Sequence, residues 1–244
     1  MIAATDGQAG RLKYSLRPDE QVFFLHIPKT AGMSLWHVLR NHYGRRLSLS
    51  LTRDIRSSIT SRDLERYLCF RAHMDYGYYQ HLPRKPAYLT MLRHPIQHQI
   101  SRFGMKKRVG KLGLINARDI FEYLDRVPLN IQTLYLAGMK QGLSMDPEAA
   151  LEVAVTHLEE FAFFGVMEQF DDSLELLAYT LSWPPIPALE ARNTAGQGDK
   201  PELTPELEEV ILEKCWLDLR LYEVARQIFD RRLSRMQAEK AEEV

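Results

Sequence analysis

The sequence predicts an α/β fold: one domain with a mostly parallel central sheet flanked by helices, plus helical additions. Three observations carry that expectation. Short apolar runs that read as buried strands recur along the chain, separated by segments of helical periodicity. Helix-start signals, a capping residue or a strand end followed by proline, stand at His94-Pro95, Asp146-Pro147-Glu148 and Thr204-Pro205-Glu206. Finally, 244 residues at 45% hydrophobic can bury one substantial core.

The elements follow in order. Residues 1–20 read as a loose lead-in, 21–232 as the domain and 233–244 as a polar C-terminal tail. Val22 to His26 is a strand, and 33–43 a helix with the periodic core Leu35-Trp36-His37-Val38-Leu39-Arg40. After a polar segment, Tyr67-Leu68-Cys69-Phe70 and then Ala87-Tyr88-Leu89-Thr90-Met91-Leu92 read as strands, and a helix opens at His94-Pro95 and runs towards Lys107. Helices are expected at 117–126 and 129–137, the second stopping before Gly138. Another starts at Asp146, a strand covers Phe161 to Val166, and a helix covers 168–181. Residues 182–203 form a Pro/Gly-rich loop too long to be a mere connector, and the last helix runs from Thr204 to Arg232.

Composition excludes several classes. No run approaches the roughly eighteen apolar residues that cross a bilayer. The stretch from Met1 to Gly7 lacks a basic region followed by an apolar one, so no signal peptide is expected. Cys69 and Cys215 sit in an apolar run and a helical pattern, which favours two buried free thiols and a cytoplasmic protein. Net charge is zero, yet residues 45–111 carry 15 Lys/Arg against 4 Asp/Glu, and residues 112–244 carry 12 against 25. Such a basic block attracts anionic ligands even in a neutral protein; Arg53, Arg56, Arg62 and Arg66 read equally as a solvated face. With little aromatic interleaving and no nucleic-acid motif, nucleic acid is not an expected partner.

Chemistry enters at His26-Ile27-Pro28-Lys29-Thr30-Ala31-Gly32-Met33-Ser34. A strand, a short loop of small residues and a helix N-terminus together make an anion cradle, because the first helical N–H groups lack internal partners and the helix dipole favours negative charge. Lys29 adds a positive charge. This is not the nucleotide-hydrolysing loop G-x-x-x-x-G-K-[ST]: the lysine precedes the glycine, and no Gly-Lys-Ser/Thr occurs. A second anion site is expected at Leu92 to Phe103. There Arg93 ends a strand with a guanidinium able to hold two phosphate oxygens, and Ser101 lies about two helical turns on.

The first motif resembles the 5′-phosphosulfate loop of sulfotransferases that use 3′-phosphoadenosine-5′-phosphosulfate (PAPS). It is most similar to that of the membrane-type carbohydrate family that includes the heparan sulfate 2-O-sulfotransferases. In that family Lys-Thr-x-x-x-Ser wraps the 5′ end of the donor. Arg93, Pro95 and Ser101 fall on the family's 3′-phosphate motif, with His94 where an aspartate is usual. Weaker likenesses at Leu129 to Gly138, Phe164 to Ser173 and Leu217 to Tyr222 extend the resemblance to residues 21–231. Each of these three reads equally as core packing or capping. The resemblance implies a P-loop-like domain, binding of PAPS and its product 3′,5′-bisphosphoadenosine (PAP) by Lys29, Thr30, Ala31, Gly32, Met33, Ser34, Arg93 and Ser101, and no metal. Asn193 to Lys200 occupy the place where the family closes a loop over the nucleotide. The family has Thr at position 33; Met33 removes a hydroxyl, a bond to a charged group worth roughly 1.5–3 kcal/mol.

Transfer of a sulfuryl group to a hydroxyl needs a proton acceptor, and histidine titrates in the right range. Of eight histidines, His73 directly follows a strand, on the same sheet edge as Lys29 and Arg93, in a looser version of the family's Gly-His stretch with Ala72 for the glycine. His26 is expected to orient the loop by hydrogen bonding, while His37, His42 and His157 read as helix-surface or packing residues. His94 and His98 lie near the phosphate site without an assigned role. The expected activity is sulfuryl transfer from PAPS to an acceptor hydroxyl, on a carbohydrate or small metabolite, with Lys29 and His73 catalytic. The alternatives are a protein that binds PAP or an anionic glycan without catalysis, and a nucleotide or small-molecule kinase. The acceptor is not legible, because variable loops build such pockets.

Overall fold

The computed structural model describes residues 12–52, 60–77, 82–138, 145–187 and 200–242. Arg53, Arg56, His81 and, of the expected nucleotide-closing loop, Asn193 to Asp199 therefore lie outside the described residues. At its centre are five parallel strands, β1 (Glu20–Leu25), β2 (Ser48–Leu51), β3 (Cys69–Ala72), β4 (Lys85–Leu92) and β5 (Phe163–Val166), in the order β2-β3-β1-β4-β5. Every residue of β1 is buried, and β5 likewise, which is why Val22–Leu25 and Phe163–Val166 read as apolar runs; Glu20 and Gln21 are buried polar residues at the start of β1. The helices are α1 (Gly32–Tyr43), α2 (Ser61–Leu64), α3 (Pro95–Arg108), α4 (Ile120–Arg126), α5 (Ile131–Ala137), α6 (Pro147–Glu160), α7 (Phe170–Thr180), α8 (Pro205–Lys214) and α9 (Trp216–Glu242).

Two expectations differ from what is seen. Ser48-Leu49-Ser50-Leu51 was covered by the polar segment, yet it forms the edge strand, with Ser48 and Leu51 buried against β3. The helix expected from Thr204 to Arg232 is two helices. Cys215, with φ −108° and ψ 30°, leaves the helical region between them. The break redirects the apolar stripe. Leu207, Ile211 and Cys215 join a small cluster with Ile96, Phe103 and Tyr123, while Leu217, Leu221 and Ala225 join the main core on the sheet. α9 then continues to Glu242, through most of the expected polar tail.

The connections place the site. From β1 the chain crosses through α1 to the edge at β2, whereas from β4 it leaves towards the opposite edge at β5. The crevice at the carboxyl ends of β1 and β4 is therefore the topological switch point, where open α/β sheets bind ligands. No described helix is long and apolar enough to cross a membrane. Cys69 and Cys215 are buried free thiols.

Candidate active site

The loop leaving β1 is held from below. Thr30, buried, donates its hydroxyl to Ile27 O (2.9 Å), and His98 of α3 donates from Nε2 to Pro28 O (2.8 Å). His98 is wholly buried, and burial foremost pushes it down to about 3, so it is a neutral strut. The expected orienting residue, His26, works differently. Among the described residues its ring makes no hydrogen bond, and Nδ1 is buried without a partner. It packs instead between Phe24 (5.2 Å between centroids) and His73 (4.3 Å). Burial, then the charges of His73, Arg71 and Lys29, depress His26 to about 2.

Lys29 (φ 73°) and Ala31 (φ 64°) adopt left-handed backbone, and Ala31 precedes the right-handed first turn of α1. Such an alternation turns successive N–H groups towards one point. No side chain caps α1 and no acidic residue stands in its first turn. Ser34 N and Leu35 N both bond Ala31 O, which leaves the N–H groups of Gly32 and Met33 with no acceptor among the described residues. Gly32 is dictated by contact: a Cβ there would lie 1.9 Å from Cδ2 and Nε2 of His26. The first turn is thus an open, uncapped anion cradle with its floor fixed by a histidine ring.

Arg93 follows β4 and closes the crevice from the other side. Its Nη1 donates to Lys29 O (3.1 Å), tying the two loops together, while Nε is buried without a partner among the described residues. Its backbone is gripped by Gln132, which accepts from Arg93 N (2.9 Å) and donates to Arg93 O (2.8 Å). Gln132 is in turn set by Asp218. That fully buried carboxylate accepts from Gln132 N (3.3 Å), Thr133 N (2.8 Å) and Thr133 Oγ1 (2.8 Å), capping α5 across from α9. His94, the N-cap of α3, offers no side-chain cap; its N–H donates to Glu168 and its ring lies edge-on to Tyr222. Ser101 is buried in α3.

His73 directly follows β3, whose Ala72 pairs in register with Leu25. It is exposed, and its Nδ1–H donates to His26 O (2.8 Å). A carbonyl can only accept, so this bond fixes the tautomer and leaves the lone pair on Nε2, the arrangement a general base needs. The remaining histidines pack as expected: His42 stacks on Trp183, His157 on Tyr76, and His37 meets Asn41.

Lys29, Thr30, Ala31, Gly32, Met33, Ser34, His73 and Arg93 therefore lie at one sheet edge. The field there is positive. The Lys29 ammonium is pushed below its usual range by burial first, then by Arg108, Arg93 and Lys200. Lys200, at the end of the long loop, is thus within electrostatic reach of the cradle. Sequence reading missed Arg71, Arg108, Gln132 and Asp218. A cleft of about 360 Å³ lies elsewhere, lined by Tyr14, Glu20, Lys85 and Phe161 at the amino ends of the strands, and shares none of these residues. Fold and site together define an α/β protein with a cationic crevice at a parallel sheet's switch point. The chain matches no family model and no curated protein.

Proposed function

We propose that the chain is a sulfotransferase that moves a sulfuryl group from PAPS to an acceptor hydroxyl, working in the cytoplasm on a carbohydrate or small metabolite. The observation that carries this is the pairing of an uncapped α1 cradle, Lys29 beside it, with a histidine whose tautomer is fixed for accepting a proton. The residues present fit the donor: two loops each bring a cation to one crevice, and the glycine that keeps the cradle open cannot carry a Cβ.

PAPS supplies the activated sulfuryl group when bound, with PAP as the other product. Lys29 and the N–H groups of Gly32 and Met33 would neutralise charge on the 5′ phosphate as the bond breaks. Arg93 would hold the 3′ phosphate, its backbone kept in place by Gln132 and its guanidinium by Lys29 O. Ser101 would assist it from α3. His73 Nε2 would take the acceptor's proton, the His26 carbonyl stabilising the imidazolium through Nδ1–H. Catalysis is then mainly positioning and charge stabilisation. The test is transfer of radiolabelled sulfate from PAPS to a panel of hydroxyl acceptors. The unsubstituted chain should transfer, Lys29→Ala should not, and His73→Ala should bind PAP normally but lose turnover. Normal turnover by either variant overturns the role given to that residue.

A further inference from the structure

Arg71 is a cation without a counter-charge among the described residues, beside the open end of α1. It is the penultimate residue of β3, before Ala72, paired in register with Phe24 and Ser50. Its guanidinium sits over the Trp36 ring (5.3 Å to the centroid) and donates from Nε (3.2 Å) and Nη2 (2.8 Å) to Ser50 Oγ. Among the described residues the remaining Nη1 meets the thioether of Met33, a weak acceptor. No carboxylate pairs with Arg71 among the described residues. The group is half-buried, and Arg40, 6.0 Å from the same indole, adds repulsion.

A half-buried guanidinium held by one neutral hydroxyl, a sulfur and a ring face has desolvated its charge without compensation. Five donors serve two acceptors. Met33 is the second residue of α1, one of the two whose backbone N–H points have no acceptor, and it is half exposed. The guanidinium thus reaches the residue that forms the rim of the cradle, with Lys29 in the loop that enters it. Ser50 and Trp36 hold it there like a bracket, so little rotamer entropy is lost on binding.

We propose that Arg71 is the second cation of this cradle and binds the 5′ phosphate of the nucleotide through Nη1 and Nη2, displacing the Met33 sulfur. This rests on the PAPS reading of the site and supplies, with a charge-assisted fork, what position 33 lacks as a hydroxyl.

Calorimetric titration of two nucleotides tests it: PAP, which has both phosphates, and adenosine 3′-monophosphate, which has only the 3′ one. Arg71→Met should weaken PAP binding by about tenfold or more while leaving the 3′-monophosphate within about twofold. Arg71→Lys should recover part of the loss, since it keeps the charge but not the fork. Met33→Thr placed on Arg71→Met should restore PAP affinity more than it raises that of the unsubstituted chain. Ligand-free melting curves report whether each variant is folded. Unchanged PAP affinity in both Arg71 variants, or equal losses for the two nucleotides, overturns the assignment. Failure of the unsubstituted chain to bind PAP at all overturns the donor reading itself, and the Arg71 role with it.

Discussion

Gly32→Ala separates a cradle defined by contact from one defined only by sequence likeness. The added Cβ would sit 1.9 Å from Cδ2 and Nε2 of His26 and 2.8 Å from Cε1, where ordinary contact begins near 3.4 Å. The ring would have to retreat by roughly 1.5 Å, and it has nowhere to go: it is buried, with Phe24 stacked at 5.2 Å and His73 at 4.3 Å. Overpacking of this kind costs about 1–3 kcal/mol, and the rigidity of all three rings puts this site at the upper end. For a chain of this size that is a drop of roughly 6–12 °C in Tm. The assay is thermal unfolding of Gly32→Ala in the natural sequence and in a His26→Ala background. The expected loss is about 3 kcal/mol in the first and near zero in the second, since removing the ring removes the clash. A loss under about 0.5 kcal/mol, or the same loss in both backgrounds, refutes the reasoning.

The neutral histidines make stability depend on pH. His98, depressed to about 3, and His26, depressed to about 2, titrate near 6.5 once unfolded, so the unfolded chain binds more protons between those limits. Their contribution is complete above about pH 6.5 and is lost as pH falls, with a slope of up to about 1.4 kcal/mol per pH unit for each. His98→Gln, which keeps a donor for Pro28 O, should flatten the urea-unfolding midpoint against pH over this range; an unchanged slope contradicts the strut role. Asp218→Ala should cost about 3 kcal/mol in chemical unfolding, because three donors lose a buried acceptor, and a loss below about 1 kcal/mol would contradict that cap. Since Asp218 sets Gln132 and Gln132 sets Arg93, the same variant should also weaken nucleotide binding; unchanged affinity would detach the two layers.

The strands at the centre of the sheet were legible because burial on both faces writes them as apolar runs, and Lys29, His73 and Arg93 were legible because each follows such a run. The edge strand was not: Ser48 and Ser50 alternate with leucines in only four residues, and Ser50 is used to hold Arg71. The break at Cys215 was hidden because both helices are periodic and only their packing partners differ. The supports of the site were hidden for a different reason. His98 meets Pro28 across 70 residues and Asp218 meets Gln132 across 86, so their roles exist only after the chain has folded. One signal was available for Arg71: the pattern Phe70-Arg71-Ala72 puts an arginine inside a buried strand, which demands a partner.

The central claim is that the crevice is built for a nucleotide phosphorylated at both ends, and the shift in melting temperature given by equal concentrations of PAP and ATP tests it most directly. PAP should raise the Tm well above the rise given by ATP, and Arg93→Ala should erase the difference. Equal stabilisation by the two nucleotides, or none by PAP, would contradict the account.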